Sequence, residues 1–139
     1  MDPTAACPRP VVMVVDDDFR VCQLFERILG EEGYSVVTAT SGEEALTVAA
    51  EAAPDLVVLD IVMPGMGGVA TLRELHRRGV RAAVIMLTAQ GSVETAREAM
   101  MLGAWDYVTK PFSLEFLKGV LREGLRSSRE IRGERACAR

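Results

Sequence analysis

Five short apolar runs separated by helix-patterned segments limit this chain to very few folds. The runs are Val11 to Val15, Tyr34 to Ala39, Leu56 to Leu59, Ala83 to Leu87 and Trp105 to Thr109. An unbroken apolar run of this length marks a strand covered on both faces, because a half-exposed strand would alternate with polar residues. The intervening segments carry helical punctuation. Asp18 opens a pattern with Val21, Leu24, Phe25, Ile28 and Leu29 on one face, and Gly30 and Gly33 lie near its end. Ser41 and Glu44 form a capping box for a helix that Pro54 must end. Leu72 and Leu75 anchor a third helix closing near Gly79, and Ser92 with Thr95 and Ala96 starts a fourth that closes at Gly103. Ser113 caps a fifth, with Leu114, Leu117, Leu121 and Leu125 on one side. Met63 to Gly68 is too rich in Gly and Pro to be anything but a loop. Strands alternating with helices predict a doubly wound α/β fold, a parallel sheet with five helices on its two faces.

The bulk properties bound what such a fold can do. The chain has 139 residues, the size of one domain, and a net charge of -4, which offers no basic footprint for nucleic acid. Cys7, Cys22 and Cys137 are odd in number and show no C-x-x-C spacing, so neither a disulfide framework nor a zinc site is expected, which fits a reducing cytoplasm. The N-terminus lacks a secretory pattern, and no apolar stretch nears the roughly 20 residues that span a bilayer. Pro3, Pro8 and Pro10 predict a disordered leader over residues 1–9. The domain proper is expected over 10–127, followed by an Arg/Glu-rich tail over 128–139, a frayed helix or disordered.

In open sheets of this class, ligands bind at the carboxyl ends of the strands. Those ends carry Asp16 and Asp17, Asp60, Thr88, and Lys110. Carboxylates gathered on one rim resist ionisation unless a cation joins them, and magnesium prefers a few carboxylates plus waters and phosphate oxygens. Lys110 can pair with a carboxylate in one state and a phosphate in another, and Thr88 can donate to a phosphoryl oxygen. A carboxylate can itself be the nucleophile, forming an aspartyl phosphate. Phosphoryl transfer asks mainly for positioning and charge neutralisation, which this set supplies.

The motifs VVDDD (Val14 to Asp18), LDIVMPGMGG (Leu59 to Gly68), MLTAQG (Met86 to Gly91) and GAWDYVTKPF (Gly103 to Phe112) carry a family resemblance. In order and spacing, the chain resembles the receiver domains of two-component response regulators from about residue 10 to 127. The resemblance implies a flavodoxin-like sheet with strand order 2-1-3-4-5. It implies that Asp60 is the phosphoacceptor, that Asp17 binds magnesium directly, and that Asp16 acts largely through an intervening water. The backbone carbonyl of Val62 would complete the protein ligands. Thr88 would be the switch hydroxyl, Lys110 would contact the phosphoryl group with a cis peptide before Pro111, and Tyr107 would be the aromatic whose rotamer reports activation. Ala89 leaves room beside the phosphate. The partner implied is a sensor histidine kinase. The chain would be no enzyme beyond catalysing its own phosphorylation and dephosphorylation.

Other residues invite a reading. His76 is the only histidine and is expected at the surface of the third helix. Met101, Trp105 and Tyr107 would share a partner-binding or homodimerisation face built from helix four, strand five and helix five. Val62 and Gln90 flank the phosphosite and should orient an attacking water poorly, while Gly67 stands where many receivers carry an acidic residue. Residues past 127 are too few for an output domain, so a stand-alone receiver or phosphorelay intermediate competes with the N-terminal receiver of a transcription regulator. The stretch from Thr88 to Phe112 resembles receivers of sigma-54 activators. Two other classes fit less well. A haloacid-dehalogenase-type phosphatase needs an aspartate where Val62 stands, and a flavodoxin-like electron carrier needs a phosphate-cradling loop where Asp16 and Asp17 stand.

Overall fold

Strand β3 (Leu56–Asp60) is buried along its whole length, which accounts for its apolar sequence and places it at the centre of the sheet. It belongs to a computed structural model that describes residues 9–89 and 93–131. Around it lie β1 (Val11–Val15), β2 (Ser35–Ala39), β4 (Ala83–Thr88) and β5 (Asp106–Thr109), all parallel and in the order β2-β1-β3-β4-β5. The helices are α1 (Phe19–Glu31), α2 (Gly42–Ala52), α3 (Gly68–Arg77), α4 (Val93–Met101) and α5 (Leu114–Ile131). The five-strand, five-helix alternation and the strand order agree with the sequence-based expectation. Gln90 and Ser92, together with residues 1–8 and 132–139, fall outside the described residues.

Alternate strand residues feed two cores. Met13, Val15, Val57, Leu59, Val84 and Met86 pack under α2, α3 and α4, where Ala45, Leu46, Ala49, Leu72, Leu75 and Ala99 meet them. Val12, Val14, Leu56, Val58, Ile85 and Leu87 pack under α1 and α5 against Phe25, Leu29, Leu117 and Leu121. Truncating one such leucine to alanine in a filled core costs about 2–5 kcal/mol.

The helix signals in the sequence are realised as geometry. Asp18 accepts from the Arg20 N–H, Ser41 from the Glu44 N–H and Ser113 from the Phe116 N–H. Helices α1, α3 and α4 each end on a glycine at positive φ: Gly33, Gly79 and Gly103. The amides of the following residues, Tyr34, Val80 and Ala104, close back on Leu29, Leu75 and Ala99. This is the Schellman arrangement, which a side chain at the glycine would strain.

Three expectations about faces need correction. Leu24 is 56% exposed, because α1 buries the seam of Cys22, Phe25 and Leu29, and Leu24 lies about 100° around from Phe25. Leu114 is exposed in the first turn of α5, whose buried seam runs instead through Leu117, Leu121, Gly124 and Ser128. A glycine and a serine carry no apolar signal, so the sequence reading breaks the seam off early. Residues 128–131 accordingly continue α5 instead of fraying, and the buried Ser128 hydroxyl donates to the Arg81 carbonyl at 3.2 Å.

Gly124 has a packing reason. A Cβ there would lie 3.2 Å from Leu56 Cδ2 and 3.5 Å from Trp105 Cε3. Gly119 has none, since its Cβ would meet only Arg122 Nη2 at 3.8 Å. Glycine inside a helix loses backbone entropy for no return at such a site. Gly119→Ala is therefore expected to stabilise the protein by about 0.5–1 kcal/mol, read as a higher urea midpoint with unchanged slope.

Candidate functional site

The carboxyl ends of β1, β3, β4 and β5 come together at one rim. Parallel pairing sets the register: the Ile61 N–H donates to the Leu87 carbonyl, and the Lys110 N–H donates to the Thr88 carbonyl at 2.8 Å. Asp60 is 8% exposed, and its Oδ2 lies 3.6 Å from Lys110 Nζ. The ligand oxygens of Asp16, Asp17 and Asp60 all lie within 4.8 Å of one another, with Asp16 and Asp60 buried and Asp17 exposed. Asp16 and Asp60 make the same local turn. Asp16 Oδ1 accepts from the Asp18 N–H at 2.9 Å, and Asp60 Oδ1 from the Val62 N–H at 3.1 Å. A strand-ending aspartate that captures the amide two residues on holds its own carboxylate in one orientation. The Lys110–Pro111 peptide is cis.

Electrostatically the rim gathers three carboxylates around one lysine. Burial is the main cause that pushes the Asp16 carboxyl above its ordinary value; the Asp18 amide and Lys110 oppose this, and the charges of Asp60 and Asp17 add to it. A raised folded-state value means that Asp16 contributes stability while protonated and loses it as pH rises through that value. A divalent cation would reverse the sign. Among the described residues, Asp16 Oδ2 is the buried side-chain polar atom with no hydrogen-bond partner. An orphaned carboxylate oxygen beside two further carboxylates is the donor set that a hard, oxygen-seeking cation requires, so these residues fit magnesium.

The remaining expected residues divide. Thr88 is buried at the end of β4, and its hydroxyl donates to the Ala89 carbonyl at 3.1 Å. Tyr107 lies on β5 and is 40% exposed. Val62 touches the site through its N–H, and the residue is 67% exposed. His76 is not the surface residue the sequence suggests: it is half-buried, and its Nδ1 lies 2.8 Å from the Leu102 carbonyl. Sequence reasoning also passes over Cys22, whose buried thiol donates to the Asp16 carbonyl at 3.4 Å and steadies the end of β1 from below. A cysteine inside an apolar helix face gives no signal of that contact.

A doubly wound sheet with this rim defines a receiver-type α/β protein. Residues 12–122 match the response regulator receiver domain, and the chain belongs to that family. The transcriptional regulatory protein ZraR of Escherichia coli K12 is 39% identical over 123 residues, 88% of this chain and 28% of ZraR. The transcriptional regulatory protein YkoG of Bacillus subtilis is 38% identical over 117 residues, 84% of this chain and 51% of YkoG. Among solved structures, NtrX from Brucella abortus superposes with a TM-score of 0.83 at 34% identity, covering 90% of this chain and 28% of NtrX. A response regulator receiver domain protein from Clostridium thermocellum does so at 0.83 and 30% identity, covering 88% of this chain and 98% of that one. The chain thus spans 28% of ZraR and 51% of YkoG. Among the described residues, no helix is long and apolar enough to cross a membrane.

Proposed function

We propose that Asp60 accepts a phosphoryl group from a phosphohistidine of a sensor histidine kinase, in a magnesium-dependent reaction in the cytoplasm. The observation that carries this reading is the Asp60 carboxylate, held beside Lys110 Nζ and within one ligand set with Asp16 and Asp17. An Asp60 oxygen forms the new O–P bond as the donor's P–N bond breaks; the departing imidazole nitrogen keeps the electron pair and takes a proton from solvent. Lys110 moves from pairing with the carboxylate to pairing with a phosphoryl oxygen. Asp17, Asp60 and the Val62 carbonyl would hold magnesium, with Asp16 acting through water, and the ion would supply positive charge against the phosphoryl oxygens. In this reading the chain catalyses its own phosphorylation and its own dephosphorylation, in which water attacks the acyl phosphate, inorganic phosphate leaves and the Asp60 carboxylate is restored. The exposed, apolar Val62 side chain should orient the water for that hydrolysis poorly. Mass spectrometry after incubation with acetyl phosphate is the test: a gain of one phosphoryl group with magnesium and none with EDTA is expected. An unmodified protein in both arms would end the proposal.

The two acidic neighbours should differ. Asp17→Asn is expected to weaken magnesium binding about tenfold or more, and Asp16→Asn less, because losing a direct ligand removes a charge the cation touches. Isothermal titration calorimetry with magnesium measures both, and equal affinities would contradict the assignment.

Signalling would follow from Thr88. A phosphoryl group adds close to two negative charges and three acceptor oxygens. That would draw the Thr88 hydroxyl off the Ala89 carbonyl and let Tyr107 turn inward. The face of α4, β5 and α5 would then repack for a partner or a second copy; Met101 is 83% exposed there, alongside Phe116 and a groove of about 570 Å³ lined by Tyr107, Pro111 and Phe112. Thr88→Ala should leave phosphoryl uptake intact and reduce the α4 and β5 amide shifts that beryllofluoride induces by half or more. Parent-sized shifts in that variant would rule out the Thr88 route. By likeness to ZraR and YkoG, both transcriptional regulatory proteins, we read the chain as the N-terminal receiver (residues 10–127 with the α5 continuation) of a transcription regulator. A stand-alone receiver or phosphorelay intermediate is the second reading.

A further inference from the structure

Helix α4 follows directly on the Thr88 end of β4, and it is lightly seated. Its buried residues are Ala96 and Ala99, so neither offers a long side chain to lock it to the sheet. Its N-terminal Val93 is exposed. Its C-terminal end is held quite differently. The Ala104 N–H closes on the Ala99 carbonyl and the Gly103 N–H on the Met100 carbonyl. That arrangement leaves the Leu102 carbonyl without an intrahelical partner. His76, near the end of α3, fills the need: its Nδ1 lies 2.8 Å from the Leu102 oxygen. A carbonyl can only accept, so Nδ1 carries the proton and the ring is held in one tautomer. The ring also lies flush against Gly103, where a Cβ would come within 2.8 Å of Nδ1. The imidazole thus fills the space that the glycine leaves open and clamps α3 to the C-terminal end of α4.

At its other end, α3 begins at Gly68, whose N–H donates to the Ile61 carbonyl one residue beyond Asp60. One helix therefore joins the Asp60 loop to the C-terminal cap of α4.

We propose that His76 is a positioning residue that pins the C-terminal end of α4, so that the helix swings from its Val93 end when the site is occupied. The clamp follows from the geometry of His76, Leu102 and Gly103; the swing rests on the phosphoacceptor reading of Asp60 given above.

Two variants separate the hydrogen bond from ring packing. His76→Asn keeps a donor near the Nδ1 position, whereas His76→Phe keeps a ring against Gly103 and loses the donor. Without any activator, amide hydrogen exchange at Leu102, Gly103 and Ala104 should be about fivefold faster in His76→Phe, the size of one net hydrogen bond. It should return towards the parent rate in His76→Asn. With magnesium and beryllofluoride, parent amide shifts should concentrate at Val93–Ala96 and be small at Leu102–Ala104. In His76→Phe they should spread through Leu102–Ala104, and in His76→Asn the parent pattern should return. His76→Ala reads out the same loss should the phenylalanine variant not fold. Parent-like exchange in the donorless variants would overturn the clamp, and an unchanged shift pattern in them would overturn the pinned swing. Absence of any shift in the parent would instead count against Asp60 as phosphoacceptor and would remove the swing with it, while the exchange rates would still decide the clamp.

Discussion

Replacing Asp60 with asparagine is expected to leave a folded protein that takes up no phosphoryl group from acetyl phosphate at any magnesium concentration. The amide has nearly the volume of the carboxylate and can still accept the Val62 N–H that Asp60 Oδ1 receives at 3.1 Å. What it lacks is the negative oxygen that attacks phosphorus and the charge facing Lys110 Nζ at 3.6 Å. Loss of function through unfolding is separable from loss of the nucleophile. Three carboxylates share the rim, so neutralising one relieves repulsion in the metal-free protein. The thermal midpoint of Asp60→Asn in EDTA should therefore equal or exceed that of the parent. Uptake of one phosphoryl group at the parent rate would show that another residue is the acceptor. Retained inactivity with a midpoint several degrees lower would show that Asp60 matters to the fold instead.

The sheet was legible because its physics is written in long stretches. Residues such as Val57 and Leu59 must be apolar on both faces of a covered parallel strand, and nothing polar interrupts β3 until Asp60. Helix ends were legible for a related reason, since Ser41, Ser113 and Gly103 satisfy orphaned backbone groups by local geometry that sequence spacing reports. The acidic rim was legible because aspartates ending separate strands of one parallel sheet have to meet. The misread residues all depend on the angle and reach of packing between elements. Leu24 reads as core from its spacing and lies off the seam that α1 presents to the sheet. Gly124 and Ser128 carry no apolar signal, yet they let α5 approach Leu56 and bind the Arg81 carbonyl. His76 reads as surface because its partner, the Leu102 carbonyl, is a backbone atom 26 residues away. No side-chain pattern announces such a contact.

The second large effect is expected one loop beyond Asp60, at a pair of adjacent glycines that should respond in opposite directions. A Cβ added at Gly68 would lie 2.7 Å from Ile61 Cα and closer still to the Asp60 carbonyl oxygen. Both are backbone atoms of the segment that carries the phosphoacceptor, so no rotamer change can relieve the overlap. The loop or the first turn of α3 has to move, and overpacking of this kind costs about 1–3 kcal/mol, with rigid backbone at the upper end. Gly68→Ala should therefore lower stability by about 3 kcal/mol in urea denaturation and, by displacing Asp60 and Val62, weaken magnesium binding as well. At Gly67 the same addition would meet only the Ile61 carbonyl at 3.7 Å, an ordinary contact. Gly67 is also the N-cap of α3, in extended backbone and with no side chain to accept from the helix amides. Gly67→Ser supplies that acceptor and should gain a few tenths of a kcal/mol. Equal losses at both positions would mean that the loop needs flexibility as such. A harmless Gly68→Ala would mean that the loop yields, and that Asp60 is not held by the close seating of α3 against its backbone.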